Sequence, residues 1–161
     1  TEYSCPTVVR KMITESFLKH SIFHHIGFAS KNIRLDQQIL LDMGFEIEKS
    51  FEDPLQGVMG VFMKKGLRIE LLQNLPSSTT LDPFLQRGNK FYHLGYLVKD
   101  LRHSLNMALK SGAHILKKPT PAVAFSGRQI AFVVFQNSMI IEIIAKNHVL
   151  GESNANEYQQ R

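Results

Sequence analysis

Two histidines and two glutamates interrupt stretches that otherwise belong in a protein interior. Glu70 lies in Leu67-Arg68-Ile69-Glu70-Leu71-Leu72, and Glu142 in Met139-Ile140-Ile141-Glu142-Ile143-Ile144. His25 and His93 lie in the short aromatic runs Phe23-His24-His25-Ile26-Gly27-Phe28 and Phe91-Tyr92-His93-Leu94-Gly95-Tyr96. A carboxylate buried alone is costly, so each glutamate needs a partner or a metal. The separation from His25 to Glu70 is 45 residues and that from His93 to Glu142 is 49. Two imidazoles and two carboxylates suit one divalent transition metal and leave coordination positions open to water or substrate. Cobalt, zinc, nickel and manganese all accept such donors.

The near-equal spacing comes from an internal repeat. Phe23–Ile47 superimposes on Phe91–Ile115 at a constant offset of 68, without a gap, with 8 identities in 25 positions. Phe23 meets Phe91, His25 meets His93, Gly27 meets Gly95 and Gly44 meets Gly112. Each copy opens with a strand. A helix capped by Asn32 or Asp100 follows. In the second copy Leu101, Leu105, Ala108 and Leu109 share one helical face, and in the first Leu35, Ile39 and Met43 are expected to do the same. Gly44 and Gly112 end the helices. Three strands complete each copy, the last two forming hairpins over Val58–Leu72 and Gln129–Ile144. The expected division is an extension over 1–21, a first βαβββ module over 22–75, a linker over 76–90, a second module over 91–146 and a tail over 147–161. Within the extension, Val8–Leu18 has helical character. Leu81–Arg87 reads as a short helix.

Side chains alternate along a strand, so only one of His24 and His25 is expected to face a shared site. The repeat selects His25, because His24 pairs with Tyr92. His20, His103, His114 and His148 are expected at the surface.

The 161 residues suffice for about one domain. Cys5 is the only cysteine, so no intrachain disulfide forms. No apolar run reaches the ~18 residues of a membrane span. A cytoplasmic location is therefore the expectation, with no membrane partner. The net charge of +5 comes from lysines and arginines scattered in ones and twos. That pattern lacks a basic helix or nucleic-acid signature, so no nucleic-acid partner is expected.

His25-Ile26-Gly27, Ile69-Glu70-Leu71-Leu72, His93-Leu94-Gly95 and Ile141-Glu142-Ile143 resemble, in type and order, the motifs of the vicinal-oxygen-chelate superfamily, which includes glyoxalases, bleomycin-resistance proteins and dioxygenases. The resemblance covers about residues 22–146. It implies an α+β fold in which two tandem βαβββ modules form a curved eight-stranded sheet around a metal cleft. His25, Glu70, His93 and Glu142 would then be the metal ligands, with Glu142 and Glu70 as catalytic bases. Gln56-Gly57-Val58, Phe84-Leu85-Gln86 and Gly127-Arg128 are most similar to methylmalonyl-CoA epimerases. Those enzymes carry an acidic residue where this chain has Gly60, which weakens the case for two-base epimerisation. The implied activity is a metal-dependent isomerase, epimerase or lyase that stabilises the enolate of a small carbonyl or acyl-CoA substrate. Gln56, Tyr96 and Arg128 are candidate substrate contacts. A homodimer is implied by analogy. A glyoxalase I-type lactoylglutathione lyase shares the ligand set and is the alternative. A ring-cleaving dioxygenase uses two histidines and one carboxylate, so Glu70 argues against it. A metal-free binding or resistance protein would have lost the four donors.

Overall fold

The computed structural model describes residues 16–88 and 90–147. The helix expected over Val8–Leu18 lies largely outside the described residues, as does the tail from Gly151. Where the described chain begins, Phe17 to His20 form a turn.

Two copies of the same element order follow. The first contains β1 (Ile22–Ala29), α1 (Ile33–Asp42), β2 (Glu46–Asp53), β3 (Val58–Lys65) and β4 (Leu67–Asn74). After the short α2 (Asp82–Gln86), the second contains β5 (Phe91–Val98), α3 (Leu101–Lys110), β6 (His114–Pro121), β7 (Gln129–Val134) and β8 (Ile140–Ala145). All eight strands join one curved open sheet in the order β2-β3-β4-β1-β5-β8-β7-β6. The expected α+β architecture is therefore present. Among the described residues no helix is long and apolar enough to cross a membrane.

The helix caps are those the side chains dictate. Asn32 accepts from the Leu35 amide and Asp100 from the His103 amide, each replacing a bond the first helical turn lacks. Gly44 and Gly112 follow the helices at φ +85° and +91°, a conformation that disfavours a Cβ.

The sheet has two faces with separate cores. On the outer face, α3 packs through Leu105 and Ala108 on Ala131, Val133, Ile141 and Ile143. Phe45, Val61, Met63 and Leu71 form the equivalent cluster beneath α1. Here one expectation fails. Leu35, Ile39 and Met43 are 49–58% exposed, and α1 contains no fully buried residue. It is seated by Ile33, Leu40 and Leu41 instead. The apolar stripe of α1 is wider than the surface available to cover it, so periodicity alone selected the wrong edge.

The inner face is lined by Phe51, Phe62, Leu72, Tyr92, Phe125, Ile130, Phe132 and Ile144. Two pieces close over it. Phe84 and Leu85 of α2 pack against this cluster. The short turn Val123–Phe125 lies across from β2, where the Lys49 ammonium donates to the Ala124 carbonyl at 2.9 Å.

Candidate metal centre

The four polar interruptions converge on the inner face. His25, Glu70, His93 and Glu142 are each at most 3% exposed, and one donor atom from each lies within 4.8 Å of the other three. His25 Nε2 is 2.8 Å from His93 Nε2. It is 3.2 Å from Glu70 Oε2 and 3.2 Å from Glu142 Oε2. His93 Nε2 is 3.3 and 3.4 Å from the same two oxygens.

The sheet register explains this convergence. One row of directly paired residues runs Lys49, Phe62, Glu70, Gly27, His93 across β2, β3, β4, β1 and β5. A second runs Lys117, Phe132, Glu142, Gly95, His25 across β6, β7, β8, β5 and β1. The rows have the same five residue types in the same order. Each starts at an outer strand of one half and ends on the histidine of the other.

The glycines in these rows make room for the rings. A Cβ on Gly27 would lie 2.2 Å from His93 Cε1, and one on Gly95 would lie 2.2 Å from His25 Cε1. Each His-x-Gly motif thus supplies an imidazole and also the flat strand surface on which the opposite imidazole rests.

The donor set suits a cation. At typical bond lengths of about 2.0–2.2 Å, donors around one ion lie roughly 3 Å or more apart, close to the carboxylate–imidazole separations here. Among the described residues Glu142 Oε2 is buried and has no hydrogen-bond donor, although it is within ion-pair distance of both imidazoles. Without a cation, the charges must be balanced by protons. Burial opposes charge on His25, but the Glu70 and Glu142 carboxylates outweigh it and push its pKa up to about 9. Burial also opposes charge on Glu70 and Glu142, and the two imidazoles outweigh it, holding both carboxyls below their usual range.

Two more side chains belong to this site than strand alternation allows. The register of β1 against β5 shifts between Phe23 and His25, leaving His24 as an extra residue. It shifts again between Gly27 and Phe28, where the extra residue on β5 is Tyr92. A bulge of this kind turns two successive side chains toward one face. His24 therefore lies beside His25, with their Nδ1 atoms 2.8 Å apart and its ring edge-on to Phe62 and Phe125. Burial, followed by the charge of His25, pushes the His24 pKa down to about 4. Tyr92 takes the matching place beside His93, with ring centroids 4.6 Å apart. Burial keeps its phenol protonated, with the Glu142 and Glu70 charges acting in the same direction. The expectation that only His25 of the adjacent pair faces the site is corrected by the first bulge. Lys49 and Lys117 were also missed, although they continue the 68-residue offset two positions beyond Ile47 and Ile115.

The structure does not bring the three candidate substrate contacts to the four donors. Tyr96 packs in the outer-face cluster with Leu94, on the opposite side of the sheet from His93 and Gly95. The Gln56 side-chain amide donates to Asp53 at 3.1 Å. Arg128 donates to the carbonyls of Phe125 and Lys146, and its guanidinium lies over the Phe125 ring. It braces the turn that covers the site. Gly60 is paired with Phe51, and a Cβ there would lie 2.3 Å from the Phe51 ring. His20, His103 and His114 are exposed, as expected.

The chain is similar to known proteins in sequence and in fold. Residues 24–132, roughly two thirds of the chain, match the model of the Glyoxalase/Bleomycin resistance protein/Dioxygenase superfamily. No curated protein sequence matches the chain at a significant level. Among solved structures, a hypothetical protein of Bacillus halodurans C-125 is similar with a TM-score of 0.70 and 22% identity, covering 83% of this chain and 99% of that one. The methylmalonyl-CoA epimerase of Mycobacterium tuberculosis is similar with a TM-score of 0.65 and 18% identity, covering 76% of this chain and 86% of its own. A variant of the Streptomyces coelicolor methylmalonyl-CoA epimerase, in complex with 2-nitronate-propionyl-CoA, gives a TM-score of 0.63 at 18% identity over 76% of this chain and 95% of that chain. At these identities the likeness concerns the fold. With the duplicated module, the single curved sheet and the matched sequence together, the chain belongs to the Glyoxalase/Bleomycin resistance protein/Dioxygenase superfamily.

Proposed function

We propose that this chain is a metal-dependent isomerase, epimerase or lyase that removes a proton α to a carbonyl of a small or acyl-CoA substrate. The observation that carries the reading is the convergence of four buried donors, two imidazole and two carboxylate, within 4.8 Å. His25, Glu70, His93 and Glu142 would hold one divalent ion, with cobalt, zinc, nickel and manganese all suited to the donors. When bound, such an ion supplies a Lewis acid that stabilises the oxyanion developing on a neighbouring carbonyl.

The protein's own part is proton transfer in a dry site. Glu142, one of the four buried donors, is the candidate base for the substrate proton. Glu70 is its counterpart across the pseudo-symmetric rows. Phe62, Phe125, Tyr92 and Phe132 surround the imidazoles and exclude water, which strengthens every charge interaction there. The solved relatives named as methylmalonyl-CoA epimerases make an acyl-CoA thioester the first substrate class to try.

One observation favours a second reading. Two-base epimerisation of the resembling kind needs a carboxylate at Gly60, and the Phe51 ring occupies the space beside that position. Chemistry using only the ligand carboxylates, as in a glyoxalase I-type lactoylglutathione lyase, requires nothing there.

Solvent deuterium exchange of metal-loaded protein decides between them. Methylmalonyl-CoA and the hemithioacetal of methylglyoxal with glutathione are the two substrates. Exchange into one and not the other selects that class, and Glu142→Gln should reduce it at least about 100-fold. Absence of exchange in both, with metal bound, would reject α-proton chemistry on these substrates.

A further inference from the structure

The two rows end in equivalent lysines that have different surroundings. Lys49 and Lys117 are each paired with an inner-face phenylalanine, Phe62 and Phe132. The Lys49 ammonium donates to the Ala124 carbonyl. Lys117 is half-buried, and among the described residues no hydrogen bond or ion pair holds its ammonium. Asp53 lies within its electrostatic reach, but the Asp53 oxygens accept instead from the Gln56 amide, the Gln56 side chain and the Val123 amide.

We propose that Lys117 receives a carboxylate group carried by the substrate, and so selects anionic substrates over neutral ones. The inference rests on the metal-centre reading above and specifies its substrate class. Lys117 and Glu142 are separated by two strand spacings, roughly 10 Å between backbones, and the flexible four-carbon stem of a lysine spans much of that gap. A compact molecule chelating through two neighbouring oxygens therefore has room for a further charged group on Lys117. The charge balance points the same way. A divalent cation cancels the Glu70 and Glu142 charges, and the second row is left with one positive group. Burial lowers the Lys117 pKa, while the Asp53 and Glu142 charges act in the opposite sense. Lys49, already tied to the covering turn, does not share this role.

A matched pair of chelators tests the assignment. Acetohydroxamate and the monohydroxamate of succinic acid present the same two oxygens, and only the second carries a carboxylate. Titration calorimetry on the full chain loaded with cobalt should show the carboxylate-bearing probe binding about 10-fold more tightly. Lys117→Gln should abolish that preference with the acetohydroxamate affinity retained, Lys117→Arg should keep it, and Lys49→Gln should leave it intact. Retained acetohydroxamate binding also confirms that the glutamine variant is folded. Equal affinity of the two probes for the wild type, or a preference that survives Lys117→Gln, overturns the proposal. If the protein takes up no cobalt, or neither probe binds the loaded protein, the metal-centre reading fails first and this assignment falls with it.

Discussion

In the first half of the molecule, His24 sits beside His25 and Lys49 is tied to the turn that covers the site. In the second half, Tyr92 sits beside His93, and among the described residues Lys117 has no hydrogen-bond partner. The floor of the site is nevertheless the same in both, with Phe, Glu, Gly and His aligned across the strands in one order. The difference teaches where duplication is held and where it is released. Four donors that converge on one point constrain one another, so a change in either floor row would displace one of them. The walls are under no such constraint and are free to diverge.

The largest effects should come from breaking what the halves share. Gly27→Ala drives a methyl group into the His93 ring, and Gly95→Ala does the same to His25. Each should weaken divalent-metal binding on the order of 100-fold, the upper end for displaced ligand supports. Overpacking should add about 1–3 kcal/mol of destabilisation. Metal titration and urea unfolding of both variants check this. Closely matched losses are expected, and a severe loss at only one glycine would break the symmetry of the floor.

Smaller effects should separate the walls. His25 Nδ1 has His24 as a partner, whereas His93 Nδ1 is buried and has none among the described residues. Partners of this kind orient a metal-binding imidazole and fix its tautomer. His24→Phe should therefore cost about 10-fold in metal affinity, with partial recovery in His24→Asn, whose amide can occupy the Nδ1 position. Tyr92→Phe should cost less than about 3-fold, since its hydroxyl is no partner of His93. Calorimetric metal titration of the three variants would show the order, and equal losses for His24→Phe and Tyr92→Phe would erase the distinction.

The smallest effect lies at the rim. Arg68 holds Glu48 with paired hydrogen bonds in the first half. Leu116 and Ile140 stand at the matching places in the second half. The pair is partly exposed, so Glu48→Gln should cost at most about 1 kcal/mol. The Arg68 hydrogen bond holds the Glu48 carboxyl below its ordinary value, against a smaller opposing effect of burial. Its contribution is accordingly present above pH 4.5 and is lost as pH falls through the depressed folded value. Urea unfolding of wild type and variant at neutral and acid pH should show the difference shrinking toward zero in acid.

Much of this arrangement is legible from residues alone, because it depends on local periodicity. The duplicated βαβββ order, the caps at Asn32 and Asp100, the left-handed glycines and the four buried polar residues all follow from neighbours in the chain. The functional reach of Tyr96, the second histidine and the seat of α1 do not. His24 joins the site because β1 gains an extra residue only against β5, a strand 68 positions away, and a bulge resets the alternation on which the sequence argument depends. Leu35, Ile39 and Met43 stay exposed because burial needs an opposing surface as well as a stripe. The purpose of Gly27 and Gly95 is likewise invisible in their own halves. Composition and periodicity determined which groups had to be buried and where each strand and helix would form. Pairing between the halves decided which imidazole rests on which glycine, because side-chain direction in a sheet is set by register with a partner strand.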